Sequence, residues 1–362
     1  MTYLPALDHI RAYAALLIIL YHTLNNISYQ ILYEKPFDFD HWIYTENPIH
    51  AFIIEGHTAV ALFMVLSGFI FTYGAMGRQI NYLGFVRNRF LRIYPLFIFL
   101  IIVGISVYPQ NFSFSSLLQT VLGFSNVQGA LNLGPFSAMF WAISVEFQFY
   151  LIFPFLLKLM ETDYKKIFYL LGLAIIFRIS GYLLDGNIRE ISYWTILGRI
   201  DQFILGMLAA KWFKELNEKR DKLFKFIFIP NILLIVIAMF VFNKLGGWVA
   251  VEPWKIIWPT IEGLLWSVFI VSYVLIFNKY TNLLSKFIAK IGELSFSMYL
   301  IHFVIIQIII NKGLFIVLDI SPFKNAILNS VVIVVPITIL ISLITYNLIE
   351  KPFLKLRVKY LK

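Results

Sequence analysis

No cysteine occurs among the 362 residues, which excludes disulfides, thiolate metal sites and an acyl intermediate carried on sulfur. Charge is also scarce: 14% of the residues are Asp, Glu, Lys or Arg, against 60% hydrophobic, too few to cover the surface of a soluble globular domain. Low-complexity linkers and internal repeats are missing too, so neither a repeat array nor a string of tethered modules is expected. The chain instead has long apolar runs. Their abundance predicts an all-α polytopic integral membrane protein, with one transmembrane domain expected over residues 1–362 and no fused soluble domain expected.

A spanning helix needs roughly 20 mostly apolar residues, because about 1.5 Å of rise per residue must cover about 30 Å of hydrocarbon. Runs of that kind fall at 10–28, 52–77, 91–108, 137–159, 167–184, 193–213, 226–243, 254–277, 290–311 and 327–349, or about ten spans. The stretch 112–124 is shorter and serine-rich, which fits an interfacial or re-entrant segment. The first run has no small-residue cleavage pattern and contains Arg11 and His22, so it reads as a retained helix.

Basic residues set the orientation. Arg78, Arg87, Arg89 and Arg92, the 211–225 loop, and Lys351, Lys355, Arg357, Lys359 and Lys362 fall on one side. The other side holds Lys35, Arg189, Lys244, Lys255, Lys312 and Lys324. Both termini are therefore expected to be cytoplasmic. The net charge of +10 then reflects this bias and contact with anionic headgroups, and no nucleic-acid partner is expected.

Ionisable groups at bilayer depth cost at least about 2.5 kcal/mol each on insertion scales, so the few that persist are candidates for function. Arg11 and His22 lie eleven residues apart, on nearly one helical face and about 16 Å apart along the axis. Counting along their helices puts His22, Glu146 and His302 at one depth, where an imidazole could act as base and a carboxylate could orient it. The bland alternative is a set of buried polar tethers, with Glu146 neutralising Arg178 or Arg199. Arg89 and Arg92 share a face at the start of the third span, as an anion site would require, although the positive-inside bias also explains such clusters. Asp8 with Arg11, and Glu350 beside Lys351, read as structural ion-pair elements.

Several segments, in order, resemble the acyltransferase family 3 of membrane O-acyltransferases. LDHIRAYAA at 7–15 with His22 is similar to the family's opening helix and its arginine-to-histidine spacing. FMVLSGFI at 63–70, RFLRIYP at 89–95 and WAISVEFQFY at 141–150 are similar to its next three motifs. RIDQFILG at 199–206, LSFSMYLIH at 294–302 and LIEKPF at 348–353 are similar to later segments. His9 departs from the glycine that many members carry after the first-helix aspartate.

The resemblance implies an O-acetyltransferase of the bacterial inner membrane that takes acetyl from cytoplasmic acetyl-CoA. The acceptor it implies is an extracytoplasmic hydroxyl on a cell-surface glycan or lipid-linked sugar. In that scheme Arg11, Arg89 and Arg92 hold the donor phosphates, His22 is the general base, Glu146 orients it, and His302 completes the catalytic set without a metal. An acyl-histidine or acyl-serine relay is equally open, with Ser67 and Ser144 as the serines. The competing classes are a transporter or flippase for a lipid-linked sugar or anion, and a non-catalytic scaffold.

Overall fold

The structure is a computed structural model that describes residues 3–216 and 218–362; the side chains of Lys219 and Arg220, two of the expected inner-side cations, lie outside the described set. It is helical throughout. The elements are α1 (Pro5–Tyr33), α2 (Pro48–Ile54), α3 (Thr58–Ala75), α4 (Tyr82–Val107), α5 (Phe114–Val121), α6 (Phe140–Thr162), α7 (Lys165–Asp185), α8 (Ile188–Trp194) and α9 (Ile196–Lys214). They continue with α10 (Glu218–Phe226), α11 (Phe228–Lys244), α12 (Trp258–Phe277), α13 (Leu283–Glu293), α14 (Ser295–Asn311), α15 (Pro322–Asn329), α16 (Val335–Thr345) and α17 (Lys351–Leu354). The last three run as one rod, Pro322–Leu354, through π-helical turns at Ser330–Val334 and Tyr346–Glu350.

Among the described residues, six helices are long and apolar enough to cross a membrane, or seven if the pair α13 and α14, bent by 66°, counts as one span. The expected ten runs all fold as helices, but not all have the character of simple spans. The run at 10–28 is α1 and the run at 193–213 is α9. Both carry polar side chains midway, and both are enclosed by other helices: every α9 residue from Gly198 to Ala210 is buried. The run at 226–243 becomes the 17-residue α11. The run at 290–311 is cut at Leu294, so its first turn belongs to α13. The run at 254–277 begins its span only at Trp258, with Lys255 in the preceding 3₁₀ turn. By contrast α7 turns Leu173, Ile176, Leu183 and Leu184 outward as a surface for lipid.

Close backbone contacts build the centre. A Cβ on Gly206 of α9 would stand 1.9 Å from the Val65 carbonyl oxygen, and one on Gly68 of α3 2.0 Å from that of Phe203, so the two helices touch main chain to main chain. Gly206→Leu is expected to prevent recovery of a monodisperse detergent-extracted protein on gel filtration, because backbone cannot yield as a side-chain tip can. Gly172→Ala, whose Cβ meets nothing within 4 Å, should leave the elution profile unchanged. His9, the departure from the family pattern, is buried and donates through Nε2 to the Ser285 carbonyl at 2.9 Å, while its Nδ1 lies 3.2 Å from the Tyr273 hydroxyl. It ties the start of α1 to α12 and α13.

Candidate active site

A cavity of about 900 Å³ enters the bundle between α1, α3, α4, α6, α13 and α14, at the end where Tyr3 and Tyr360, near the two termini, meet. Its charged wall is unbalanced. Arg11, Arg89, Arg92, Lys286, Lys290 and Arg357 face three acids, Asp8, Glu146 and Glu293. Lys286, Lys290 and Arg357 are exposed at the mouth, whereas Arg11, Arg89 and Arg92 are half-buried further in.

The arginines differ in what already occupies them. Arg11 donates to Asp8 at 2.5 Å, as its spacing predicts, and Tyr3 donates to the second oxygen of the same carboxylate at 2.6 Å. Arg92 donates at 2.8 Å to the fully buried Glu350, which also accepts from Ser297. Glu350 therefore pairs across the bundle with Arg92. Arg89 has no ion pair of that kind; its guanidinium lies 4.8 Å over the Phe71 ring, and its buried Nε has no hydrogen-bond partner. Partial burial, then the Arg89 and Arg92 guanidiniums, push Arg357 down to about 10, still protonated at neutral pH. Cations crowded together with too few carboxylates are the electrostatic setting in which a polyphosphate binds.

Further in, Ser67 on α3 donates to Glu146 Oε1 on α6 at 2.6 Å, with Tyr150 one turn along α6 beside both. Ser144 is used structurally, its Oγ accepting from the Ser125 amide at 3.0 Å. Glu146 does not pair with Arg178 or Arg199. Arg178 holds Asp201 at 2.8 Å with neither side chain exposed, and Arg199 donates to the Tyr193 carbonyl and the Gln202 amide oxygen.

His22 on α1 and His302 on α14 meet directly, Nδ1 to Nε2, at 2.9 Å. The tautomers follow from the next partner. His302 Nδ1 lies 3.0 Å from the Met298 carbonyl, which can only accept, so His302 carries its proton there and its Nε2 accepts from His22 Nδ1. The Ile18 carbonyl offers a second acceptor to the same His22 N–H. His22 Nε2 is then left with a free lone pair, the form a general base needs. The residue in hydrogen-bond contact with the His22 ring is His302, whereas Glu146 is engaged with Ser67. Neither histidine lines the cavity. Tyr299 and Phe63 do, with their rings 6.2 Å apart, and the Tyr299 ring lies 6.0 Å from that of His302. The set expected at one level is divided, with Glu146 on the cavity side of Tyr299 and the histidine pair behind it.

On the far side of the pair, the Tyr21 ring lies tilted against His22 at 4.7 Å and meets His57 edge-on at 6.0 Å. His57 donates to the fully buried Glu55 at 3.1 Å, which also accepts from Trp42 and Asn243. Lys255 is buried nearby, donating to the Trp248 carbonyl at 2.6 Å. Burial pushes its amine down to about 7, Arg189 acts in the same direction, and Glu55 and Glu262 oppose both. Between about 7 and the ordinary 10.5 the unfolded chain therefore binds a proton that the folded chain does not, and this group makes stability rise with pH across that window. Lys255→Met is expected to flatten the rise in unfolding temperature between pH 7 and pH 10; an unchanged slope would remove Lys255 as its source.

Sequence reasoning missed Arg357, Tyr299 and the Glu55 cluster. The α17 turn brings Arg357 back under the bundle, which no periodicity announces, and Tyr299 stood in plain view one turn before His302.

A family model described as an acyltransferase domain matches residues 4–347, nearly the whole chain. The chain belongs to that family, acyltransferase family 3, and is an integral membrane acyltransferase. Neither a curated protein nor a solved structure matches it.

Proposed function

We propose that the protein moves an acyl group, acetyl foremost, from cytoplasmic acyl-CoA to a hydroxyl of an extracytoplasmic glycan or lipid-linked sugar, in a bacterial inner membrane with both termini inside and about ten helices at membrane depth. The observation that carries this reading is the cavity: cations at its mouth for phosphates, an apolar and aromatic throat for the pantetheine arm, and Ser67, Glu146 and Tyr299 in its wall further in. Arg89, Lys286 and Arg357, the cavity cations without a carboxylate partner among the described residues, take the phosphates first. Arg11 and Arg92 are held by Asp8 and Glu350 so that their remaining N–H groups face the donor. His22 Nε2, fixed by His302, removes the proton of the acceptor hydroxyl.

Charge-assisted hydrogen bonds contribute about 1.5–3 kcal/mol each, so Arg89→Ala and Arg357→Ala should each raise the Kd for CoA about ten-fold or more, measured by calorimetry in lipid. The same variants should flatten its dependence on salt. Unchanged affinity in both would remove the cavity as the donor site.

A further inference from the structure

The donor cavity stops short of the histidine pair, and midway along its α3 wall is a hydroxyl already bonded to a carboxylate. From that geometry we infer that Ser67 is an acyl-accepting nucleophile: the acyl group is first transferred from the thioester to Ser67 Oγ and only then to the acceptor. The inference rests on the transferase reading above and adds an intermediate to it.

Three observations converge. Ser67 Oγ donates to Glu146 Oε1 at 2.6 Å, and both side chains line the cavity, so the hydroxyl faces the donor with a base already in hydrogen-bond contact. Of the three serines that line the cavity, Ser67, Ser285 and Ser295, only Ser67 donates to a carboxylate among the described residues, and Ser144, which does not line it, is occupied by the Ser125 amide. Tyr299, 6% exposed and in the same wall, has a hydroxyl with no hydrogen-bond partner. A buried unpartnered donor beside a nucleophile is placed to receive an oxyanion.

In the first step Ser67 Oγ bonds to the thioester carbonyl carbon while its proton passes to Glu146. Tyr299 holds the oxyanion, the carbon–sulfur bond breaks, and the proton on Glu146 goes to the departing sulfur. In the second step the acceptor hydroxyl, losing its proton to His22, attacks the Ser67 ester. The ester bond to Oγ breaks, and the proton taken by His22 returns to restore the serine hydroxyl. Tyr299 lines the cavity and its ring lies 6.0 Å from that of His302, so CoA is released to the cavity and the acceptor meets the ester at the Tyr299 wall, next to the histidines.

The test uses the full chain in lipid and radiolabelled acetyl-CoA without acceptor, followed by peptide mass mapping. The expected result is a burst of one thiol per protein and an acetyl group on the Ser67 peptide, lost in Ser67→Ala. Ser67→Cys should give a label that neutral hydroxylamine removes, and Tyr299→Phe should slow the burst by about 10²–10³-fold. The wild-type and cysteine results decide the matter even if the alanine variant does not fold. Acceptor-dependent thiol release with no burst and no acetyl on Ser67 would overturn the intermediate and leave the transferase standing. No thiol release with or without acceptors would overturn both.

Discussion

Replacing His22 by glutamine is expected to lower kcat for acyl transfer by about 10²–10⁴-fold while leaving the Kd for CoA unchanged, the contribution typical of a positioned general base. The split between the two constants follows from position. His22 lies outside the wall of the cavity proposed to hold the donor, and its nitrogen not bonded to His302 is the one proposed to serve the acceptor step. His302→Gln should lower kcat less severely. His302 fixes the His22 tautomer through one hydrogen bond at 2.9 Å and touches no reacting atom, and a glutamine oxygen can still accept from His22 Nδ1. A fall in CoA affinity in the His22 variant, with kcat preserved, would place the histidine in donor binding instead. Rates measured at saturating and limiting acetyl-CoA separate the two.

The second large effect is on folding. Asp201→Leu is expected to cost about 3–5 kcal/mol, because it leaves the Arg178 guanidinium in the protein interior without its counter-charge. That guanidinium also donates to the Gly198 carbonyl and to Thr260, so the arginine cannot swing out to water without breaking the joint between α7, α9 and α12. The double variant Arg178→Met with Asp201→Leu should recover most of the loss, since a buried pair replaced whole is often neutral or better. Unfolding temperatures of the single and double variants in one detergent check this. A single variant as stable as the wild type would mean that Arg178 finds water or lipid headgroups in the folded protein.

How much of this could be read before the structure depended on where each residue's partner lies. The spacing of Arg11 and His22 is a property of one helix, so their shared face was legible, as was the Asp8–Arg11 pair. That His22 and His302 share a depth followed from counting rises along two helices, and they do meet. Depth alone does not say which way a side chain turns about its axis, and Glu146 turns toward Ser67 on α3. The Arg92–Glu350 pair joins residues 258 positions apart and depends on the π-helical turn at Tyr346–Glu350, which resets the phase of the last helix just before the glutamate. Nothing local encodes it.

The span count was only partly legible for a related reason. Hydropathy reports how apolar a helix is, not whether lipid or protein surrounds it, and α1 and α9 are long helices whose polar centres are wrapped by neighbours. The break at Leu294 had a sign that periodicity passes over. Gly292 sits where a Cβ would meet the Asp8 carbonyl at 1.8 Å, so the end of α13 must press against the start of α1 and cannot continue straight into α14. Most of the polar residues gathered around the cavity were named in advance; the Tyr299 wall between them was not.

The central claim is that the donor enters at the end of the bundle that holds both termini and the acyl group leaves on a sugar hydroxyl at the other. The most direct measurement is thiol release by protein oriented in sealed vesicles, with acetyl-CoA and a panel of cell-surface glycans supplied on chosen sides. The account predicts release that needs CoA on the side of the termini and a glycan on the opposite side, and that His22→Gln abolishes. Release that requires both substrates on one side, or none with any glycan on either side, would contradict it.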